Sequence, residues 1–362
     1  MAIDNANPNR ACTRRGFVKS ASVVAAGVAL AGPLARETLA LAGGPKAVTY
    51  PTDKHAQADH WPLYGPQDEQ AVLEVIRRPS YRPIDDFEKD WQQYLNVPYV
   101  KAHCNGTSAL ASMYFALDLP AGSEILVPSY TFFATIMPMR LFGLVPVFVD
   151  INPRTLNFDL DDAKRRLTKN TKAMVPVHWL GRPCEMDDIQ AFARAKGLIV
   201  LEDAAHAHGA SMQGKKMGAW SRMAIFSYQT SKPLPMIEGG MGIYQDRADY
   251  ERATTFGNYD LPGRFPQDSP CRPYQGTGLG LKFRMHPVSA ALGRVQLREL
   301  DRRNAMITAQ VRRLNDRLCA LPGLYEQGAR QDMQRVYYAW NMLFLDEAQA
   351  GMSRAACVKA LK

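Results

Sequence analysis

Long apolar runs are missing from this sequence. No uncharged stretch reaches the ~20 apolar residues that a membrane-spanning helix needs. Cysteine is scarce: six in 362 residues, too scattered for a disulfide scaffold and without a C-x-x-C pair to hold zinc. Long Lys/Arg tracts and zinc-knuckle spacings are also missing, so nothing supports nucleic-acid binding. No internal repeat or low-complexity tract is present. What remains is ordinary: 46% hydrophobic and 22% charged residues, which excludes a disordered, collagen-like or coiled-coil chain. A chain of this length suggests two domains, or one large α/β unit with a smaller lobe.

The net charge is +9, and residues 1–42 carry +3 of it through Arg10, Arg14, Arg15, Lys19 and Arg36 against Asp4 and Glu37. The remaining excess favours anionic small molecules without requiring nucleic acid. Residues 13–19 read TRRGFVK, a small, mildly apolar stretch follows, and Ala40-Leu41-Ala42 offers a cleavage site. A charged start, a short apolar middle and a small-residue site describe a secretory signal. Paired Arg14-Arg15 with Phe17 and Lys19 makes residues 1–42 resemble a twin-arginine signal; a disordered basic tail is the plainer alternative. Exporters of that type carry folded proteins, which implies cofactor loading before export, and an exported or periplasmic location if the signal is used, a cytoplasmic one otherwise. Five cysteines remain outside this segment, and we expect mostly buried thiols without a catalytic duty.

From about residue 65 apolar residues recur at helical spacing, through Val72, Leu73, Val75 and Ile76, then through Phe87, Trp91 and Tyr94. Strands are predicted at 99–103, 125–127, 145–149, 173–177, 198–201 and 224–227, alternating with helices at 107–117, 161–166 and 186–196. That alternation predicts an α/β fold with a largely parallel sheet covered on both faces, its functional groups at the C-terminal strand ends. Residues 246–280, with four prolines, read as loop. A long helix is expected from about 287 to 321, a strand at 339–345 and a helix from 353, the start of a small lobe expected to be incomplete. The expected domains are therefore a large one over 43–250 and a small one over 251–362.

Four segments carry chemistry. FSYQTSKPLPMIEGG (226–240) places Lys232 in a loop after a strand, where a lysine can form a Schiff base with a carbonyl cofactor. LEDAAHAHGA (201–210) places Asp203 after a strand, either to hold a protonated pyridine nitrogen or simply as a turn or helix cap. NGTSAL (105–110) opens a helix, a geometry that favours a phosphate but also suits an ordinary cap. PSYTFFAT (128–135) follows a strand and offers an aromatic to stack on a ring, or simply core packing.

Each signal is weak alone; their order along an α/β chain is specific. Together with VPSYTFFATIMPM, PVFVDINPRTLNFD, VPVHWLGRPCEMDDI and FRMHPVSAALGRVQL, they make residues 65–362 resemble the DegT/DnrJ/StrS family of sugar aminotransferases. The resemblance implies a fold-type I enzyme with pyridoxal 5′-phosphate, transferring an amino group from glutamate or glutamine to a keto sugar, in a homodimer. It makes Lys232 the Schiff-base lysine, Asp203 the partner of the pyridine nitrogen and Phe132 the stacking aromatic. Gly106, Thr107 and Ser227 match phosphate contacts, and His206 a position near the ring's 3-oxygen. Where many members carry G-x-N-x-R, with an Asn reaching the neighbouring subunit's phosphate, this chain has Gly280-Leu281-Lys282-Phe283-Arg284. Lys282 is a point charge in place of a bridging amide. Two other readings compete: a sugar dehydratase, whose relatives replace the lysine that this chain keeps, and an exported, non-catalytic binding or regulatory protein on the same fold.

Overall fold

Apolar side chains on alternate residues of short strands need cover on both faces of a sheet, and that requirement organises this protein. The computed structural model describes residues 50–55, 59–259, 265–339 and 341–361; the proposed signal at 1–42 lies outside the described residues. The elements in order are α1 (Pro66–Arg77), α2 (Arg82–Leu95), β1 (Tyr99–His103), α3 (Gly106–Ala116), β2 (Glu124–Pro128), β3 (Val145–Val149), α4 (Leu160–Arg166), β4 (Thr171–Met174), α5 (Met186–Lys196), β5 (Ile199–Asp203), β6 (Ser211–Met212), β7 (Lys215–Lys216), β8 (Met223–Ser227), β9 (Gly240–Tyr244), α6 (Arg247–Thr255), α7 (Pro287–Leu318), β10 (Leu324–Glu326), β11 (Met333–Gln334), β12 (Leu343–Leu345), α8 (Glu347–Ala350) and α9 (Arg354–Leu361).

Seven strands form one sheet in the order β1-β9-β8-β5-β4-β2-β3. Pairings from β3 through β8 are parallel, and β9 runs antiparallel to both neighbours. Alternation sorts the strand residues onto two cores. Leu126, Ala224 and Phe226 join Phe87 and Trp91 of α2 on one face; Ile125, Val127, Met223 and Ile225 join Leu110, Met113 and Tyr114 of α3 on the other. Helix α2 buries Ile84, Phe87, Trp91 and Leu95, spaced three and four apart, while α3 is buried almost all round.

The expected strands and helices are present, apart from the strand expected at 339–345, of which only Leu343–Leu345 is formed, and with three further instructive differences. The strand expected at 173–177 ends at Met174. Pro176 has no N–H to donate, so the ladder breaks there, and Val177 rejoins only as a single parallel bridge to Asp203. The stretch expected to be loop from residue 246 opens with α6, because the Asp246 side chain caps it by accepting from Ala248 N. The small sheet β11-β6-β7 has no counterpart among the expected strands: its strands are two residues long, and β6 and β7 are joined by Gln213 and Gly214, both at positive φ. Of the five described cysteines only Cys184 is fully buried; the other four are half-exposed, against the expectation of mostly buried thiols.

The described residues fall into two compact units. The larger comprises 61–312 and 327–341; the smaller comprises 50–55, 59–60, 313–326 and 342–361, apart from the undescribed positions, and contains the β10-β12 ribbon. Residues 251–312, expected in the smaller domain, thus group with the larger unit. All candidate site residues belong to the larger unit.

Candidate active site

The site lies where β1, β4, β5 and β8 reach their C-terminal ends, the usual position for ligands on an open α/β sheet. At the end of β1, Asn105 caps α3: its side-chain oxygen accepts from Ser108 N and Ser108 Oγ, both at 2.8 Å. The first-turn N–H groups of Gly106 and Thr107 precede the helical ladder and carry the positive end of the helix dipole. Gly106 is required by contact. A Cβ there would stand 2.7 Å from Ser227 Cβ, and one at Gly240 would collide with the Asn105 carbonyl. The helix start and the Ser227 hydroxyl are thereby brought face to face.

At the end of β5, Asp203 is buried. Its Oδ2 accepts from Thr135 Oγ1 at 2.8 Å and its Oδ1 from Ala205 N at 3.1 Å. Thr135 is itself fixed, by Thr131 Oγ1 at 2.8 Å and by Tyr114 OH, which donates to the Thr135 carbonyl at 2.6 Å. Burial pushes the Asp203 carboxyl above its ordinary range, against the opposing pull of these hydrogen bonds and of the Lys232 charge.

The preceding residue points to the opposite face and has a different environment. Glu202 accepts from Gly218 N, Trp220 N, Ser221 N and Ser221 Oγ, at 2.6–2.9 Å. His178 Nδ1 accepts from Cys184 N, so Nε2 donates to Glu202 at 3.0 Å. Burial alone would raise the Glu202 carboxyl; these donors outweigh it and hold it low. Glu202 therefore anchors the turn through His178 that follows β4.

Lys232 sits in a loop closed at both ends. Tyr228 N donates to Gly239 O, Thr230 N to Ile237 O and Lys232 N to Gln229 O, at 2.8–3.0 Å. Arg303 on α7 donates to Pro233 O at 2.9 Å, and Trp61 Nε1 to Thr230 O at 3.0 Å. Nζ lies 4.5 Å from the Tyr338 ring centroid. Tyr338 in turn stacks on His206 at 4.3 Å and holds Ser231 Oγ through its hydroxyl at 3.0 Å. His206 is buried, its Nδ1 lacks a hydrogen-bond partner among the described residues, and burial, aided by the Lys232 charge, drives its pKa well down.

Two candidates stand apart from this network. Phe132 is 58% exposed and packs its ring 4.2 Å from Phe133, three residues before Thr135. Lys282 is exposed, and among the described residues no hydrogen bond or ion pair ties it to the other candidates. Its neighbour Phe283 accepts from Cys104 N at 2.6 Å, so this segment runs beside the phosphate loop. Sequence reasoning missed Thr135, Trp179, Glu202 and Tyr338. Thr135, Trp179 and Glu202 lie within blocks already singled out, but nothing local marks them there; Tyr338 lies outside every such block.

Pyridoxal phosphate fits this arrangement. Helix-start N–H groups and Ser227 suit its phosphate, buried Asp203 suits a pyridinium nitrogen, and the unpartnered His206 Nδ1 suits a ring oxygen. Lys232 carries the amine, and the exposed face of Phe132 is free to stack.

Residues 65–362 match the model of the DegT/DnrJ/EryC1/StrS aminotransferase family. The chain is 32% identical over 218 residues to GDP-perosamine synthase of Escherichia coli O157:H7, covering 60% of this chain and 58% of that enzyme. It therefore spans less than two thirds of that relative's length. It is 30% identical to 3-amino-5-hydroxybenzoate synthase of Amycolatopsis mediterranei (strain S699), covering 77% of this chain and 73% of that one. Among solved structures, an aminotransferase from Psychrobacter cryohalolentis superposes with a TM-score of 0.73 at 27% identity, covering 83% of this chain and 81% of that one.

Proposed function

The chain belongs to the DegT/DnrJ/EryC1/StrS aminotransferase family, and from that premise we propose that it is a pyridoxal-phosphate-dependent aminotransferase transferring the amino group of glutamate or glutamine to a nucleotide-linked keto sugar. The observation that carries this reading is the convergence on one strand-end cluster of Lys232, buried Asp203 and unpartnered His206. Bound pyridoxal phosphate supplies a carbonyl that accepts amines and a ring that withdraws electrons. The protein's own groups do the rest. Gly106 N–H, Thr107 N–H and the Ser227 hydroxyl bind the phosphate. Asp203 holds a proton at the pyridine nitrogen, and Thr135 fixes the direction of that carboxylate. Lys232 Nζ moves a proton at the substrate Cα, general acid–base work for a positioned amine. A dehydratase replaces this lysine, so its presence argues for transamination. Assaying glutamate and glutamine against a panel of nucleotide-linked keto sugars tests the reading; amino-sugar product supports it, and no turnover with any donor–acceptor pair defeats it.

The working unit is a homodimer. Leu73 and Ile76 of α1 are exposed, as are Phe132 and Phe133 beside the site, and such apolar surface suits a second copy. Lys282 then reaches the phosphate of the partner's site as a charge-assisted donor, a contact worth ~1.5–3 kcal/mol. Lys282→Ala is expected to weaken cofactor retention roughly ten- to a hundredfold, at ~1.4 kcal/mol per factor of ten. Dialysis of loaded protein with sedimentation analysis checks this: equal retention, or a fully loaded monomer, removes the cross-subunit role.

Residues 1–42 direct the folded protein to a twin-arginine exporter, the paired arginines being the supporting feature. Arg14→Lys with Arg15→Lys is expected to leave the protein in the cytoplasm. Fractionation of cells expressing each form measures it, and an unchanged distribution argues for a plain basic tail.

A further inference from the structure

Four rings from four separate chain segments form a continuous row beside Lys232. Tyr130, Trp179, His206 and Tyr338 follow one another with centroid separations of 4.6, 5.1 and 4.3 Å. The row ends at the reacting amine, since Tyr338 is the ring against Lys232 Nζ. Trp179 Nε1 is buried and has no hydrogen-bond partner among the described residues. An indole N–H can only donate, and leaving a buried donor unpaired is costly. The unpaired nitrogen of His206 is accounted for by the cofactor's ring oxygen; that of Trp179 is not.

The row is also held firmly. Trp179 N donates to Asn157 Oδ1 at 3.1 Å, and Asn157 Nδ2 donates to the carbonyls of Arg182 and Pro183 at 3.1 and 3.0 Å. Val336 N donates to Gly181 O at 3.0 Å, which registers the Tyr338 segment against the Trp179 turn. Arg330 fastens the same segment to Asp187 at 2.8 Å. Two partly exposed aromatic rings and an unpaired indole donor are thus held in one row that reaches the reacting amine.

We propose that Trp179 and Tyr338 are specificity-determining residues of the acceptor subsite. Their faces receive the C–H side of a pyranose ring, and Trp179 Nε1 donates to one of its oxygens. C–H groups carry slight positive charge and meet the negative face of an aromatic ring favourably, and hydroxyl oxygens supply the acceptor that the indole lacks. This inference rests on the keto-sugar reading above.

The test titrates cofactor-loaded protein by calorimetry with GDP-mannose, UDP-glucose and dTDP-glucose, each against its free nucleoside diphosphate. The ratio within a pair isolates what the sugar ring contributes. Wild type is expected to favour the sugar form about tenfold in at least one pair. Trp179→Leu and Tyr338→Leu are each expected to cut that ratio about three- to tenfold. Affinity for the free diphosphate stays unchanged in both, and the absorbance band of bound pyridoxal phosphate stays unchanged in Trp179→Leu, a pattern that structural damage would not give. Tyr338→Phe, which keeps the ring and loses only the Ser231 bond, retains the ratio, and Trp179→Phe serves if the leucine variant does not fold. Unchanged ratios in both leucine variants overturn the proposed subsite while leaving the sugar reading intact, as does an equal loss of affinity for the free diphosphate. No gain from the sugar in any wild-type pair defeats the sugar reading and the subsite with it.

Discussion

Lys232→Ala is expected to lower transamination by more than about 10⁴-fold, because one side chain both anchors the cofactor and moves the proton. The loss would not come from unfolding. The Lys232 peptide N–H, not its side chain, closes the Gln229–Lys232 turn, and Arg303 and Trp61 support the loop through the backbone carbonyls of Pro233 and Thr230. What the side chain itself gives the fold is its place over Tyr338, an interaction of about 0.5–1 kcal/mol where partly exposed. The variant should therefore melt close to wild type while remaining inactive. Borohydride reduction of loaded wild type followed by peptide mass spectrometry should find the cofactor on Lys232 alone; modification of a different lysine would overturn the assignment.

Asp203→Asn is expected to separate activity from stability. Turnover should fall by several orders of magnitude, since a neutral amide cannot hold a proton at the pyridine nitrogen. Cofactor-free protein should not suffer. The amide oxygen of the variant side chain can accept from Ala205 N, and its NH₂ can donate to Thr135 Oγ1, whose own proton then goes to Thr131. The pH dependence has a definite sign. The folded-state carboxyl lies above its ordinary value of 3.8 because burial penalises the charge. As pH rises through that range the unfolded chain ionises first, so wild type loses stability from this group at neutral pH. The asparagine variant does not. Its Tm without cofactor should equal or exceed that of wild type at pH 7, with the gap closing as pH falls below about 4. Near-normal turnover would reduce Asp203 to a structural cap, and a large drop in Tm at pH 7 would contradict the burial argument.

Lys232, Asp203 and the Asn105–Thr107 turn are legible in the sequence because each lies at a junction between strand and helix or loop, where local residue type reports on backbone geometry. The strands are legible for a related reason: apolar runs such as 145–149 and 223–227 are bounded by turn residues. Thr135 is also local, but its role depends on Tyr114 and Asp203, which only the folded sheet brings beside it. Glu202 reads as a strand residue next to a more interesting one. Its importance comes from Gly218, Trp220 and Ser221, sixteen to nineteen positions later. Tyr338 cannot be read at all, because it meets Lys232 more than a hundred residues away. Helix α6 is hidden by averaging: one capping aspartate is outvoted by the prolines and glycines that follow it.

The close approach of Gly106 to Ser227, and of Gly240 to Asn105, has a bearing on how the protein matures. The proposed phosphate cradle joins residues separated by more than 120 positions, with β9 inserted between β1 and β8. Such long-range pairings form late, because closing large loops costs entropy before any contact repays it. No partly synthesised chain lacking β8 and β9 can present the cradle, so capture of the cofactor must wait until the central sheet is complete. From then on every bound cofactor counts only toward the native form, deepening its free-energy well by mass action. Loading would thereby separate the two populations: chains whose sheet is incomplete offer no site, while completed ones gain the stability that a bound cofactor brings.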